Sequence, residues 1–222
     1  MVGPIHLAPS APLADRVLLP GDPGRALLLA QQLIEQPRMF NHNRGLWGYT
    51  GVAHDGASLT VQSTGMGGPS AAIVIWELAE LGARRLLRVG TCGALDPTLE
   101  LGELVVASEA LAVDGASRAL GAGERVQSSP GLLAALAEAA RGAARTGPVA
   151  STDLFYGGAS DVQRRWLEDG AIAVDMEAAT LFVLAARLGL EAGAVLVVSD
   201  LLEPERVRIA PETLRESERR MG

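Results

Sequence analysis

The chain has 222 residues, 48% of them hydrophobic, and a formal net charge of −7. That length and content suit one sizeable domain with a real core and exclude a disordered chain, while the acidic balance argues against non-specific nucleic-acid binding, which needs a basic face. No run of 18 apolar residues and no charged start followed by an apolar block occurs, so neither a membrane span nor a secretory signal is read.

A single cysteine, Cys92, excludes an internal disulfide framework and suits a reducing, cytoplasmic setting. All 19 basic residues are arginine, which excludes a Walker-type phosphate loop, a lysine Schiff base and lysine nucleophiles. His6, His42, His54 and Cys92 show no ligand spacing, so no metal and no organic cofactor is expected.

In chain order, the apolar run 17–19 predicts a buried strand, and helical spacing follows over 24–33. Residues 48–53 predict a strand turned back through Asp55-Gly56 into a second strand over 59–62. The segment Ser63-Thr64-Gly65-Met66-Gly67-Gly68-Pro69-Ser70 then makes a small-residue turn, and Pro69 opens a helix over 69–81. Exposed N–H groups at such a turn can hold an anion, although glycine-rich turns commonly do no more than let a strand meet a helix. Strands are predicted at 86–91, 104–107 and 195–199, and helices at 130–143, 162–168, 176–188 and 211–221. Residues 115–123 and 157–160 read as loops. Strands alternating with helices, with no repeat and no linker, predict a single domain over 1–222: a three-layer α/β/α sandwich with a mixed central sheet.

Four polar clusters fall at strand ends, where open α/β sheets place their ligands. Pro20-Gly21-Asp22-Pro23-Gly24-Arg25 would hold phosphate through turn amides and the Arg25 fork, or would be an ordinary capped turn. Arg88 interrupts the apolar strand Leu86-Leu87-Arg88-Val89 and needs a fixed anionic partner, either a ligand or a structural carboxylate. Thr91 and Gly93 would add a hydroxyl and a close backbone approach there, and Cys92 reads as a packed small residue. Val174-Asp175-Met176-Glu177 offers carboxylates suited to a vicinal diol, with the alternative of simple helix-dipole matching. Ser199-Asp200 leaves an apolar run, as a helix cap or a proton donor. Together these groups satisfy the phosphorolysis of a nucleoside: an anion site, a diol site, an apolar base slot and an acid for the leaving base.

From His6 to about Met221 the sequence resembles the nucleoside phosphorylases that include bacterial purine nucleoside phosphorylase and uridine phosphorylase. The stretch from Ser63 to Glu77-Leu78 and the Met176-Glu177 pair carry the resemblance. It implies a pentosyltransferase with phosphate as co-substrate and Gly21, Arg25, Arg88 and Thr91 as phosphate ligands. Arg44 would reach the phosphate of a neighbouring subunit and His6 the ribose 5′-hydroxyl across the same interface, within a homohexamer built as a trimer of dimers. Asp175, Met176 and Glu177 would hold the ribose; Cys92, Gly93, Phe155, Val174 and Ser199 would line the base site. Asp200 would be the acid, with Arg215 the nearest counterpart of the arginine that assists it and Arg208 behind it.

Uridine-cleaving members carry a glutamine and an arginine two residues apart after the Phe-Tyr pair. Gly157-Gly158-Ala159-Ser160-Asp161 supplies neither, and Gln163-Arg164 reads as helix surface. That absence and Ser199-Asp200 favour purine, whereas 111–117 looks more like the uridine group. A uridine phosphorylase is therefore the first alternative. A nucleosidase cleaving with water and a non-catalytic nucleoside-binding protein follow.

Overall fold

The computed structural model describes residues 3–140, 142–156 and 160–222, with the side chain of Ser160 left aside. The first half runs β1 (Arg16–Leu19), α1 (Pro23–Leu33), β2 (Arg38–Asn41), a 3₁₀ turn (Asn43–Gly45), β3 (Gly48–Val52), β4 (Ser58–Gln62), α2 (Gly68–Glu80) and β5 (Arg85–Ala94). The second runs β6 (Leu104–Ala112), α3 (Gly115–Ala119), β7 (Arg125–Gln127), α4 (Pro130–Ala140), β8 (Ala144–Ser151), α5 (Ser160–Glu168), β9 (Ala173–Asp175), α6 (Ala178–Leu188), β10 (Glu191–Leu201), β11 (Val207–Arg208) and α7 (Pro211–Met221).

The strands form one mixed sheet in the order β11-β10-β6-β8-β9-β5-β1-β4-β3-β2, and an additional β10–β5 pairing closes β10-β6-β8-β9-β5 on itself. β1, β4, β5 and β10 are mutually parallel, so their carboxyl ends lie along one edge of the sheet. Two apolar layers flank it. Val74, Ile75 and Leu78 of α2 and Leu181, Phe182 and Leu184 of α6 pack on one face. Ala26, Leu29 and Ala30 of α1, with Leu133 and Leu136 of α4 and Met221 of α7, pack on the other. This is the expected three-layer arrangement; α1 buries one stripe and leaves its other side to water, whereas α6 is buried all round from Ala178 to Ala185.

Local signals explain the junctions. Asp22 Oδ1 accepts from the Arg25 amide at 2.7 Å and Pro23 opens α1, a combination that satisfies one orphan donor and needs no other at that position. Gly189 ends α6 in the left-handed region at φ 68°. The structure also adds elements that periodicity does not predict. β8 contains Gly147 and Pro148, which read as punctuation, yet parallel pairing to β6 on one side and β9 on the other holds it extended. The expected loop at 115–123 begins as α3, capped by Asp114, whose Oδ2 accepts from the Ser117 amide at 2.8 Å. Among the described residues no helix is long and apolar enough to cross a membrane.

Candidate active site

Two glycine-bearing turns meet at the carboxyl ends of β1 and β4. The Thr64 amide donates to the Pro20 carbonyl at 2.9 Å, and a Cβ on Gly21 would lie 3.0 Å from the Gly65 carbonyl oxygen. A side chain there would crowd that carbonyl, and glycine avoids the clash. Arg25 leaves the same turn almost fully buried, and its Nε donates to Glu218 Oε1 of α7 at 2.7 Å. Its two terminal amino groups have no protein acceptor among the described residues, so they remain for an anion.

Arg88, at the middle of β5, has the carboxylate partners that its burial demands. Nε donates to Asp175 Oδ2 at 2.8 Å, and Nη2 lies 2.6 Å from Glu177 Oε2. Its guanidinium folds over Gly90, where a Cβ would sit 2.7 Å from Cζ. Burial lowers the Arg88 pKa, but Glu177 and Asp175 outweigh it and hold the guanidinium charged.

The two carboxylates differ. Asp175 accepts from Arg88 Nε, from the Glu177 and Ala178 amides at 3.2 and 2.9 Å, and from Ser151 Oγ at 2.6 Å. Three of these donors converge on Oδ2, and among the described residues Oδ1 takes the Ser151 hydroxyl alone. The resemblance groups Asp175 with the ribose ligands; in the structure it accepts from the first amides of α6 and orients Arg88. Glu177 Oε1 accepts from the Gly67 amide at 2.5 Å and Oε2 faces Arg88, which among the described residues leaves capacity for a hydroxyl donor. Burial and the Asp175 charge push the Glu177 pKa up, against the pull of Arg88 and of the Gly67 and Met176 amides. Met176 is half-buried beside it.

Strand register brings the base-site candidates together. Gly93 of β5 pairs with Val174 of β9 on one side and with Asp200 of β10 on the other. A bulge between Val198 and Asp200 leaves Ser199 out of register, and bulges of this kind re-aim side chains near active sites. Ser199 Oγ donates to Asp200 Oδ2 at 2.7 Å and approaches the Cys92 carbonyl at 3.2 Å. Burial pushes the Cys92 thiol far up and its side chain sits in the core, so it contributes no nucleophile. Thr91 is half-buried on the same strand.

Asp200 Oδ1 is buried and has no hydrogen-bond partner among the described residues. Arg206 Nε stands 3.5 Å from it, a charge neighbour without a hydrogen bond, and the Arg206 guanidinium lies 4.3 Å over the Phe155 ring. The arginine at Asp200 is therefore Arg206, a residue that sequence reasoning missed. Arg215 lies on the exposed side of α7, and neither it nor Arg208 makes an ion pair with an acid among the described residues. Residues 157–159 of the stretch compared with the pyrimidine reader lie outside the described residues, and Gln163 and Arg164 lie on α5.

His6 and Arg44 stand apart from these clusters and close to each other. Asn43 Nδ2 donates to the His6 carbonyl at 2.9 Å, beside Arg44 in the 3₁₀ turn. Arg44 adopts φ 56° and ψ 18°, a left-handed conformation that costs a non-glycine residue about 1–2 kcal/mol, and its side chain is exposed. Such strain is typical of segments kept for function.

Residues 15–221 match the phosphorylase superfamily. The chain is 36% identical over 206 residues to a DeoD-type purine nucleoside phosphorylase of Caldanaerobacter subterraneus, covering 89% of this chain and 88% of that one. It is 37% identical over 210 residues to the DeoD-type enzyme of a Jannaschia strain, covering 90% and 88%. Among solved structures, a uridine phosphorylase from Vibrio fischeri in complex with 6-hydroxy-1-naphthoic acid superposes with a TM-score of 0.82 at 27% identity, covering 94% of this chain and 85% of that one. With a family match across nearly its whole length and relatives at this identity, the chain belongs to the phosphorylase superfamily.

Proposed function

We propose that this chain cleaves purine ribo- and deoxyribonucleosides with phosphate, releasing free base and (deoxy)ribose 1-phosphate, a pentosyl transfer of purine salvage. The observation that carries the reading is the row Val174–Gly93–Asp200, with the unpartnered Asp200 Oδ1 at one end, set on the sheet edge that also bears Arg88 and Glu177. A buried carboxyl oxygen without a partner asks for a ligand that supplies one. The purine relatives support the same choice of base.

In this reading the Gly21 turn, Arg25, Arg88 and Thr91 hold phosphate, with Arg44 arriving from a neighbouring subunit. Glu177 and Met176 hold the ribose, and His6 of a neighbour reaches a sugar hydroxyl. Phe155, Val174, Gly93 and the backbone of Cys92 face the base. A phosphate oxygen forms the new bond to C1′ as the C1′–N9 bond breaks and its electron pair passes to the base. Asp200 gives its proton to N7, and Arg206 balances the carboxylate left behind, while Ser199 steadies Oδ2.

The test is a nucleoside panel assayed with and without phosphate. Inosine, guanosine or adenosine should turn over only with phosphate and faster than uridine. Turnover that ignores phosphate would indicate a nucleosidase. Preferred uridine turnover would favour the second reading, for which the likeness to a uridine phosphorylase structure speaks. Shared sites in a homohexamer make a separate prediction: inactive Arg44→Ala and inactive Glu177→Ala chains, mixed and allowed to exchange subunits, recover partial activity.

A further inference from the structure

Glu77 closes the signature segment, yet among the groups assigned to phosphate, ribose or base it touches only His6. It lies on α2 nine residues after Gly68, roughly 13 Å along the helix axis at 1.5 Å per residue. Its side chain is buried and fully engaged with the N-terminal strap of the same chain. Oε1 accepts from the Ile5 and His6 amides at 3.0 Å each and faces His6 Nδ1 at 2.7 Å. Oε2 accepts from the His6 and Leu7 amides at 3.0 and 2.7 Å. Burial pushes the Glu77 pKa up, but the His6 ring and the three amides outweigh it and hold the carboxyl below its usual range.

An ionised carboxylate only accepts hydrogen bonds. The ring nitrogen that faces it must carry the proton, so in neutral His6 the other nitrogen, Nε2, is an acceptor. Nε2 makes no hydrogen bond among the described residues, and the His6 side chain is 27% exposed. We infer that Glu77 is a positioning residue that fixes His6 with Nδ1–H inward and Nε2 outward as an acceptor, so that His6 selects substrates presenting a hydroxyl proton. The substrate part of this inference rests on the function proposed above. Fastening alone would need only the backbone amides; the 2.7 Å contact to Nδ1 adds the tautomer.

The experiment has two readouts on the full-length oligomer labelled with ¹⁵N-histidine, at pH 8.5, above the ordinary imidazole range of about 6.5. First, ¹⁵N shifts report the ring tautomer directly. Wild-type His6 should show Nδ1–H with unprotonated Nε2, and Glu77→Gln, whose amide can donate to Nδ1, should move it toward Nε2–H. Second, kcat/KM is compared for a nucleoside and its 5′-O-methyl ether, which accepts but cannot donate. The wild-type enzyme should prefer the free hydroxyl by about tenfold, since an unmet acceptor is costly. His6→Ala should abolish that preference, and Glu77→Gln should narrow it at least threefold. A purely fastening role would lower both substrates alike and leave the preference intact, which overturns the inference. A wild-type Nε2–H tautomer overturns it too, even where the variant fails to fold. If no nucleoside is cleaved, the proposed function falls, while the tautomer still judges Glu77.

Discussion

The two ends of the candidate site have opposite electrostatic habits. At the phosphate and ribose end every buried charge is answered from within: Arg88 by Asp175 and Glu177, Arg25 by Glu218, Asp175 by four donors. At the proposed base end a buried carboxyl oxygen has no hydrogen bond among the described residues, and the cation beside it, Arg206, is 38% exposed on a loop. The difference separates architecture from chemistry. Charges that must stand in a fixed place before any ligand arrives are braced by carboxylates, because a lone buried guanidinium would be too costly to keep. The acid proposed to exchange a proton with the base keeps one oxygen free of protein partners among the described residues.

The sharpest way to break this contrast is Asp200→Asn. The amide keeps a hydrogen-bond donor but transfers no proton, so kcat should fall by about 10²–10⁴-fold. Adenosine should suffer most, since a 6-oxopurine can be held through O6 by the new amide. The denaturation midpoint should hardly move, because the amide oxygen can still accept from Ser199 and the Arg206 contact that is lost is long and partly solvated. A large stability loss with intact turnover would reverse the assignment of the two ends.

Arg88→Ala tests the opposite end. It strands Asp175 and Glu177 as buried carboxylates, and the expected loss is about 3–5 kcal/mol in urea unfolding, together with loss of phosphate use. Arg88→Lys should recover little, since a point charge cannot serve two carboxylates through a planar fork. An Arg88→Ala protein as stable as wild type would show that the cluster is not a brace.

Arg206→Ala should be milder, because its partner contact is long and its side chain partly solvated. We expect roughly a tenfold drop in kcat for purines, consistent with one charge-assisted contact, and no measurable change in urea unfolding. Arg215→Ala should leave purine kcat unchanged. Equal effects from both would put α7, not the loop, at the acid.

The smallest expected effect concerns acid stability. The Glu77 pKa is lowered on folding, so its contribution is fully present above the ordinary carboxyl range and is lost as pH falls through the folded value. Urea midpoints measured from pH 6 downward should therefore fall less steeply in Glu77→Gln than in wild type. Parallel pH profiles would mean that the N-terminal strap is not fastened through this carboxylate.

Much of this arrangement was legible before the coordinates. Strand-to-helix punctuation located the turns at Gly21, Gly67 and Glu177, and an arginine inside an apolar strand announced a buried anionic partner, whereas Asp200, read as a strand exit, lies inside β10. The identity of that partner was not legible. Only the fold sets Asp175 beside Arg88, and its Ser151 contact comes from a strand whose Gly-Pro sequence hides its pairing. Arg206 lies in a segment without periodicity, so only the fold brings it to Asp200 and Phe155. Arg25 and Glu218 are 193 residues apart, and local spacing carries no signal across that distance.

Gly90 has a consequence that a polarity scale would miss. Its missing side chain is the seat of the Arg88 guanidinium, since a Cβ would stand 2.7 Å from both Cζ and Nη2. Replacing Gly90 with alanine looks like the addition of one methyl group to a strand. Physically it presses on a charge: the guanidinium must shift against its two carboxylates, and the cluster is disturbed without any ionisable residue being altered. In a mutational scan Gly90 should therefore behave like Arg88, grouped with the charged residues of the site and not with the small residues of the sheet.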